Sequence, residues 1–342
     1  MPEMSVIVPV LNEEGTLPEL FDALDAQREV DLQVIVADGG SSDASRAVAE
    51  SRGATVVASR KGRGAQMNAG ANMADADWLL FLHADSRPMC ADQLSRALNI
   101  MRNKPSYSAG HFGLRFVGQK TDTFLYRYME AKTKTNRPYT INGDQGLLIS
   151  REWFRELGGF DTSLPFLEDQ RIARTIRENG AWVPLSGRLE TSARRFESEG
   201  SYRRYLLMAV IMLMHAAEER GFLQKTPTLY RVQDDTKKLL LTPYFSALKQ
   251  YFASRSLRKR IRAWLRIGDF VVKQTWQAGF ILDVSLRRIL RGRRPFSFAC
   301  DKLISPFLQR TGHIWAALFT YVTLFYILRP LFWVWERGDL DA

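Results

Sequence analysis

Four groups of residues have the types and spacing to do chemistry. His83-Ala84-Asp85 ends the apolar run Trp78-Leu79-Leu80-Phe81-Leu82, and Pro88 follows shortly after. A carboxylate at the end of a buried strand can hold a divalent cation, which is most useful where a phosphate-rich group is bound or expelled. His83 falls on the same side of an extended segment and could support such a site, although Mg2+ prefers oxygen ligands. Asp38 ends a second apolar run and opens Asp38-Gly39-Gly40-Ser41-Ser42-Asp43, where it could meet a ligand or close an Asx turn. Arg60-Lys61-Gly62-Arg63-Gly64 sets cations and bare backbone amides just before a helix, a place suited to phosphate or to solvent. Glu168-Asp169 opens a helix, where carboxylates complement the dipole or supply a general base at a cleft.

The elements that must position these groups alternate. Ser5 to Leu11 is a β-branched strand that runs into Asn12-Glu13-Glu14-Gly15, and Leu17, Leu20, Phe21 and Leu24 then mark the apolar stripe of a helix. Gln33 to Ala37, Thr55 to Ala58 and Trp78 to Leu82 are further strands, with a small-residue helix from Ala65 to Ala74 before the last. Strand and helix at this spacing predict an α/β fold whose mostly parallel, Rossmann-like sheet carries helices on both faces. In such sheets ligands sit beyond the carboxyl ends of the strands, so Asp38 and Asp85 share one edge. After a helix near Asp92 to Met101 the rhythm becomes irregular. Strands are expected at His111 to Phe116, Ile141 to Ile149 and Trp182 to Leu185, with helices over Asp122 to Asn136 and Gln170 to Glu178.

A chain of 342 residues that is 46% hydrophobic can bury a full core and leave room for an appendage. Cys90 and Cys300, far apart and without metal-ligand spacing, support neither a disulfide framework nor a zinc site. The first strand begins almost at once, without a basic-then-apolar leader, and the expectation is cytoplasmic. The net charge of +11 is concentrated: twelve Lys and Arg lie between Arg255 and Arg294 against Asp269 and Asp283. A catalytic domain over 1–229 and a basic, apolar-ended helical extension over 230–342 follow from that shift.

The extension ends in fifteen uncharged residues, Ile314 to Leu328, then Arg329-Pro330 and Leu331 to Trp335. Fifteen fall short of the roughly 20 a spanning helix needs, whereas counting through Trp335 reaches 22, so both readings stand. Basic residues interleaved with aromatics over 255–335 suit an anionic membrane surface better than nucleic acid. An ordinary helical appendage, or one that joins copies of the chain into a homo-oligomer through its apolar face, is the competing account.

Taken together, Ser-Val-Ile-Val-Pro-Val-Leu-Asn-Glu-Glu, Ala-Asp-Gly-Gly-Ser-Ser-Asp, Gly-Arg-Gly-Ala-Gln-Met-Asn-Ala-Gly-Ala, Phe-Leu-His-Ala-Asp-Ser, Gly-Asp-Gln-Gly and Leu-Gly-Gly-Phe…Leu-Glu-Asp resemble the family-2 glycosyltransferases of the GT-A fold. The resemblance covers roughly residues 4 to 200. Its His-Ala-Asp and Gly-Asp-Gln-Gly forms look most like a bacterial subgroup linked to arsenosugar biosynthesis. It implies a nucleotide-sugar donor, most simply a UDP-sugar, and a hydroxyl acceptor. Pro9, Leu11 and Glu13 would surround the base, Asp38 would read it, and Arg63 would lie near base or pyrophosphate. Asp85 matches the last Asp of the family's Asp-x-Asp motif and would bind Mg2+ or Mn2+. Asp169 would be the catalytic base, with Glu168 orienting it or the acceptor, and Gly143, Asp144 and Gln145 would line the sugar or acceptor pocket.

Two departures stand out: Leu11 occupies a position where an aromatic often stacks on uracil, and His83 replaces the first Asp of the motif. No Gln-x-x-Arg-Trp follows Asp169, which argues against a processive polymerase. The implied reaction is a single displacement with inversion, on a membrane-proximal or lipid-linked acceptor at the inner face of the cell membrane. A sugar-phosphate nucleotidyltransferase would need a basic, glycine-rich loop after the first strand, and Leu11-Asn12-Glu13-Glu14 is acidic. A non-enzymatic membrane or nucleic-acid adaptor built on the basic extension is the remaining alternative.

Overall fold

In a computed structural model, residues 1–163, 166–231 and 238–340 are described. The chain forms two compact units, Met1–Ala193 and Arg194–Ala342. This division falls earlier than the composition shift at 229/230, and residues 232–237, just beyond that shift, lie outside the described residues.

The first unit is built on one eight-stranded sheet: β1 (Met4–Val10), β2 (Leu32–Asp38), β3 (Thr55–Ala58), β4 (Trp78–Phe81), β5 (Ser86–Pro88), β6 (Ser108–Val117), β7 (Leu147–Ser150) and β8 (Ala181–Ser192). Its order is β3-β2-β1-β4-β7-β6-β8-β5. β1 pairs in parallel with β2 and β4, and β2 with β3, as the alternating pattern predicts. β1 and β4 read as continuous apolar runs because both are interior strands. The strand order reverses between them, so the loops at their carboxyl ends open a crevice.

The second half of the sheet is mixed. β7 runs antiparallel to β4 and β6, β5 antiparallel to β8, and β6 parallel to β8. The fold is therefore α/β, as expected, with parallel pairing among β1–β4 and again between β6 and β8. Helices α1 (Leu17–Asp25), α2 (Ser45–Ser51), α3 (Arg63–Asn72), α4 (Gln93–Arg102), α5 (Phe124–Thr133), α6 (Arg151–Glu156) and α7 (Glu168–Asn179) complete the unit. The small residues of α3 let it lie close to the sheet: a Cβ on Gly70 would stand 2.5 Å from Cγ2 of Ile7. Ile7, Leu79, Phe81, Phe154, Phe160 and Ile176 form part of one core cluster.

Two expectations are corrected here. The strand expected over Ile141 to Ile149 is shortened to β7, because Asn142 and Gln145 cap a 3-10 turn over Gly143–Gln145. The short strand at Trp182 to Leu185 extends to Ser192 with a register irregularity opposite His111 to Gly113.

The second unit is helical: α8 (Arg194–Glu199), α9 (Ser201–Ala216), α10 (Arg220–Leu223), α11 (Thr226–Arg231), α12 (Thr242–Ala253), α13 (Leu257–Lys273), α14 (Trp276–Ser285), α15 (Pro295–Ala299), α16 (Ser305–Val322) and α17 (Arg329–Leu340). π-Helical turns at Cys300–Ile304 and Thr323–Leu328 join the last three.

Candidate active site

Three loops leave the parallel strands on one edge. The loop after β1 is tied to the loop after β2: the Asn12 and Glu13 amides donate to Ser41 Oγ and Ser45 Oγ at 2.9 and 2.8 Å. Ser42 N returns a bond to Asn12 Oδ1 at 2.8 Å, and Ala44 N one to Glu14 Oε2 at 2.8 Å. Asn12 takes a positive φ of 57° to make this turn. The acidic Asn-Glu-Glu segment thus braces its neighbouring loop. Pro9, within β1, and Leu11 and Glu13 beyond it are partly exposed. Asp38 is buried, and its carboxylate accepts from Gly40 N and Ser41 N at 3.2 and 3.0 Å, the Asx-type closure weighed from sequence.

The third loop follows β4. His83 Nδ1 lies 2.6 Å from Asp144 Oδ1, which joins this loop to the 3-10 turn. His83 Nε2 is buried and has no hydrogen-bond partner among the described residues. It faces the backbone of Gly143, where a Cβ would stand 2.9 Å from it and 3.5 Å from Asp169 Cβ. Asp169 Oδ2 accepts from Gly143 N at 2.9 Å and Oδ1 from Gln170 N at 2.7 Å, so both oxygens are oriented by amides. The Gly-Asp-Gln-Gly turn therefore holds His83 through Asp144 and Asp169 through Gly143. Asn142, Gly143, His83 and Asp169 share a cleft floored by Met67, Phe81, Ile172 and Trp182.

Glu168 is buried at the first position of α7 and stands 3.8 Å from Arg63 Nη1. Gly64 allows that approach, since a Cβ there would meet Glu168 Cβ at 3.2 Å. Burial, then the neighbouring charge of Asp169, pushes the Glu168 carboxyl above the usual carboxylate range, and Arg63 opposes the shift. Asp85 is also raised, by burial first and then by Asp144, with Glu13 adding to the effect and His83 and Arg63 working against it. Glu13, Arg63, His83 and Asp144 thus all act on Asp85 electrostatically, a convergence of loops that are distant in sequence. A carboxylate such as Asp85, with Asp144 and Glu13 acting on it, has the oxygen chemistry that a divalent cation prefers. Among the described residues no group of three or more His, Cys, Asp or Glu could hold a metal ion by itself.

Gln145 does not line the cleft. It is 0% exposed, and its amide donates to Phe112 O and Thr133 O at 3.0 Å each. Its polar side chain is needed to satisfy buried carbonyls. Gln66 was missed among the sequence candidates: its buried amide donates to Val10 O and Ala37 O at 2.7 and 2.9 Å, linking the ends of β1 and β2. A Gln within a small-residue helix is the signal that could have found it.

Residues 5–158 match the model of one family, "Glycosyl transferase family 2". The matched segment contains Pro9, Leu11, Glu13, Asp38, Arg63, Asp85, Gly143, Asp144 and Gln145, while Glu168 and Asp169 lie beyond its end. Among individual proteins, an "Uncharacterized glycosyltransferase" of Haemophilus influenzae is 27% identical over 191 residues, covering 53% of this chain and 64% of its own length. A "PGL/p-HBAD biosynthesis glycosyltransferase" of Mycobacterium bovis is 34% identical over 113 residues, 31% of this chain and 44% of its own. The chain spans less than two thirds of the length of both. A mannosyltransferase from Pyrobaculum calidifontis, solved in complex with GDP-Man and Mn2+, superposes with a TM-score of 0.48 at 16% identity, over 96% of this chain and 87% of that one. Residues 1–349 of S. aureus TarS in complex with UDP-GlcNAc give 0.46 at 14%, over 91% and 92%.

Proposed function

We propose that this protein is an inverting glycosyltransferase that moves a sugar from a nucleoside-diphosphate donor to an acceptor hydroxyl. The observation that carries the reading is the Asp169 carboxylate, oriented by Gly143 N at a cleft also lined by His83, which lies in the segment that matches the family-2 model. The acceptor oxygen attacks the anomeric carbon as its proton passes to Asp169, and the bond from that carbon to the donor's β-phosphate oxygen breaks. Gly143 N restricts the carboxylate to one orientation, which favours an attack from one face.

Pro9, Leu11, Glu13 and Asp38 are assigned to the nucleoside and Arg63 to the base or pyrophosphate. Gly143, Asp144 and Glu168 are assigned to the sugar and acceptor. Asp85 is the residue assigned to Mg2+ or Mn2+; when bound, the cation would supply positive charge to the departing diphosphate. A UDP-sugar is the simplest donor, and the arsenosugar-type subgroup is carried only by the His-Ala-Asp and Gly-Asp-Gln-Gly forms. The basic, apolar C-terminal unit supports a lipid-linked or membrane-proximal acceptor at the cytoplasmic face. Asp85→Ala tests the site: titration of UDP with Mn2+ by calorimetry should lose the metal-dependent part of binding, and an unchanged titration would remove Asp85 from that role.

A further inference from the structure

Most large apolar side chains that are exposed among the described residues lie between Leu257 and Trp335. On α16 and the π-turn after it they recur at helical spacing: Trp315, Leu318, Phe319, Val322 and Tyr326, with Trp315 70% and Phe319 68% exposed. Residues 312–328 contain no charged side chain. The segment Gly312–Arg337 is long and apolar enough to cross a bilayer by length and composition. Its other face is committed to protein. Gly268 of α13 lies so close to α16 that a Cβ there would stand 1.9 Å from His313 O and 3.0 Å from Ala317 Cβ. Trp264 packs on Tyr321 and Phe325 at 5.2 and 6.1 Å between ring centroids. Since 268 meets 313 and 317 while 264 meets 321 and 325, the two helices are antiparallel. Further along, buried Glu336 accepts from Leu241 N and Thr242 N at 2.6 and 3.0 Å at the start of α12.

This packing decides between crossing a membrane and lying on one. If the segment crossed, α13 would enter the bilayer beside it, carrying exposed Arg262, Arg266, Asp269 and Lys273. Charged side chains at such depths are strongly disfavoured. The same α13 exposes Leu257, Ile261 and Leu265 at intervals of one turn, flanked by exposed Arg258 and Lys259, the pattern of a helix in the interfacial plane. A second exposed basic group, Arg287, Arg288, Arg291, Arg293 and Arg294, lies between α14 and α15.

We infer that the α13–α17 assembly lies flat on an anionic lipid surface as an in-plane anchor, and that Gly312–Arg337 does not span the bilayer. The inference rests on the membrane-surface part of the proposed function and chooses the mode of contact. The apolar face enters the acyl boundary while the two basic groups, Arg258 with Lys259 and the arginines over 287–294, meet lipid phosphates.

Depth measurement on the full chain tests it. Leu318→Cys, Tyr326→Cys and Val334→Cys, each in a Cys90→Ser, Cys300→Ser background, receive an environment-sensitive fluorophore and are mixed with phosphatidylcholine vesicles with and without phosphatidylglycerol. These sites span about 24 Å of helix. All three labels should be quenched more by shallow than by deep spin-labelled lipid, and to a similar extent. Deep quenching centred on Tyr326 with shallow ends would show a spanning helix and overturn the inference. So would absence of vesicle binding, or blue-shifted labels without lipid in a chain that sediments as a dimer. Arg287→Gln, Arg288→Gln and Arg291→Gln should each weaken binding to phosphatidylglycerol vesicles by about fivefold, and unchanged affinity would count against the anionic contact. Hydrolysis of the donor in solution should be unaffected by these variants. A chain that floats with vesicles yet turns over no nucleotide sugar would defeat the catalytic reading alone.

Discussion

Gly143 concentrates the chemistry of the site, since its amide orients Asp169 while its missing side chain leaves room for the His83 ring. Gly143→Ala would place a methyl group 2.9 Å from His83 Nε2. The expected result is a folded protein with transfer lowered by more than tenfold, read as kcat against an unchanged circular dichroism spectrum. Asp144 has the complementary task of holding Nδ1 of the same ring. His83 and Asp85 were legible in sequence as a polar end to a buried strand. Their partner Asp144 was legible only through the family resemblance, because a carboxylate 61 positions from His83 is brought to it by folding alone. Asp38 shows another case: from sequence it could meet a ligand or close an Asx turn, and its carboxylate accepts from Gly40 N and Ser41 N within that turn.

The element that holds these residues is the 3-10 turn between β6 and β7. Sequence pattern suggested a continuous strand there, since Ile141 and Leu147 to Ile149 are apolar, and the turn escaped because its cap is made by side chains within the motif. Gln145→Leu should unfold about 2–3 kcal/mol more easily in urea, since two buried carbonyls lose their donor. Beside it, burial pushes His111 down to about 4 from an ordinary value of 6.5. Between those values the unfolded chain takes up a proton that the folded chain refuses. Stability should therefore be intact above about pH 6.5 and decline as pH falls toward 4. Thermal midpoints measured across this window in wild type and His111→Phe check it: the variant should lose part of the acid dependence. The β1–β4 half, by contrast, was readable strand by strand, because interior β1 and β4 are nearly continuous apolar runs and each strand ends in a turn-forming polar cluster.

For the whole molecule, the basic excess and the apolar C-terminal end were visible in composition, but the antiparallel packing of α13 on α16 was not. Gly268 is an unremarkable glycine in sequence, and only the fold shows that a side chain there would strike the His313 carbonyl. The proposed transfer rests on the first unit, where loops distant in sequence meet at one cleft. Its most direct test is a screen of UDP- and GDP-sugars with Mn2+, following release of nucleoside diphosphate by wild type and Asp169→Asn. One donor should be turned over by wild type, and Asp169→Asn should bind it with similar affinity by calorimetry while losing at least about a hundredfold in kcat. Full turnover by Asp169→Asn, or binding of no nucleotide sugar by the wild-type chain, would contradict the proposed transfer.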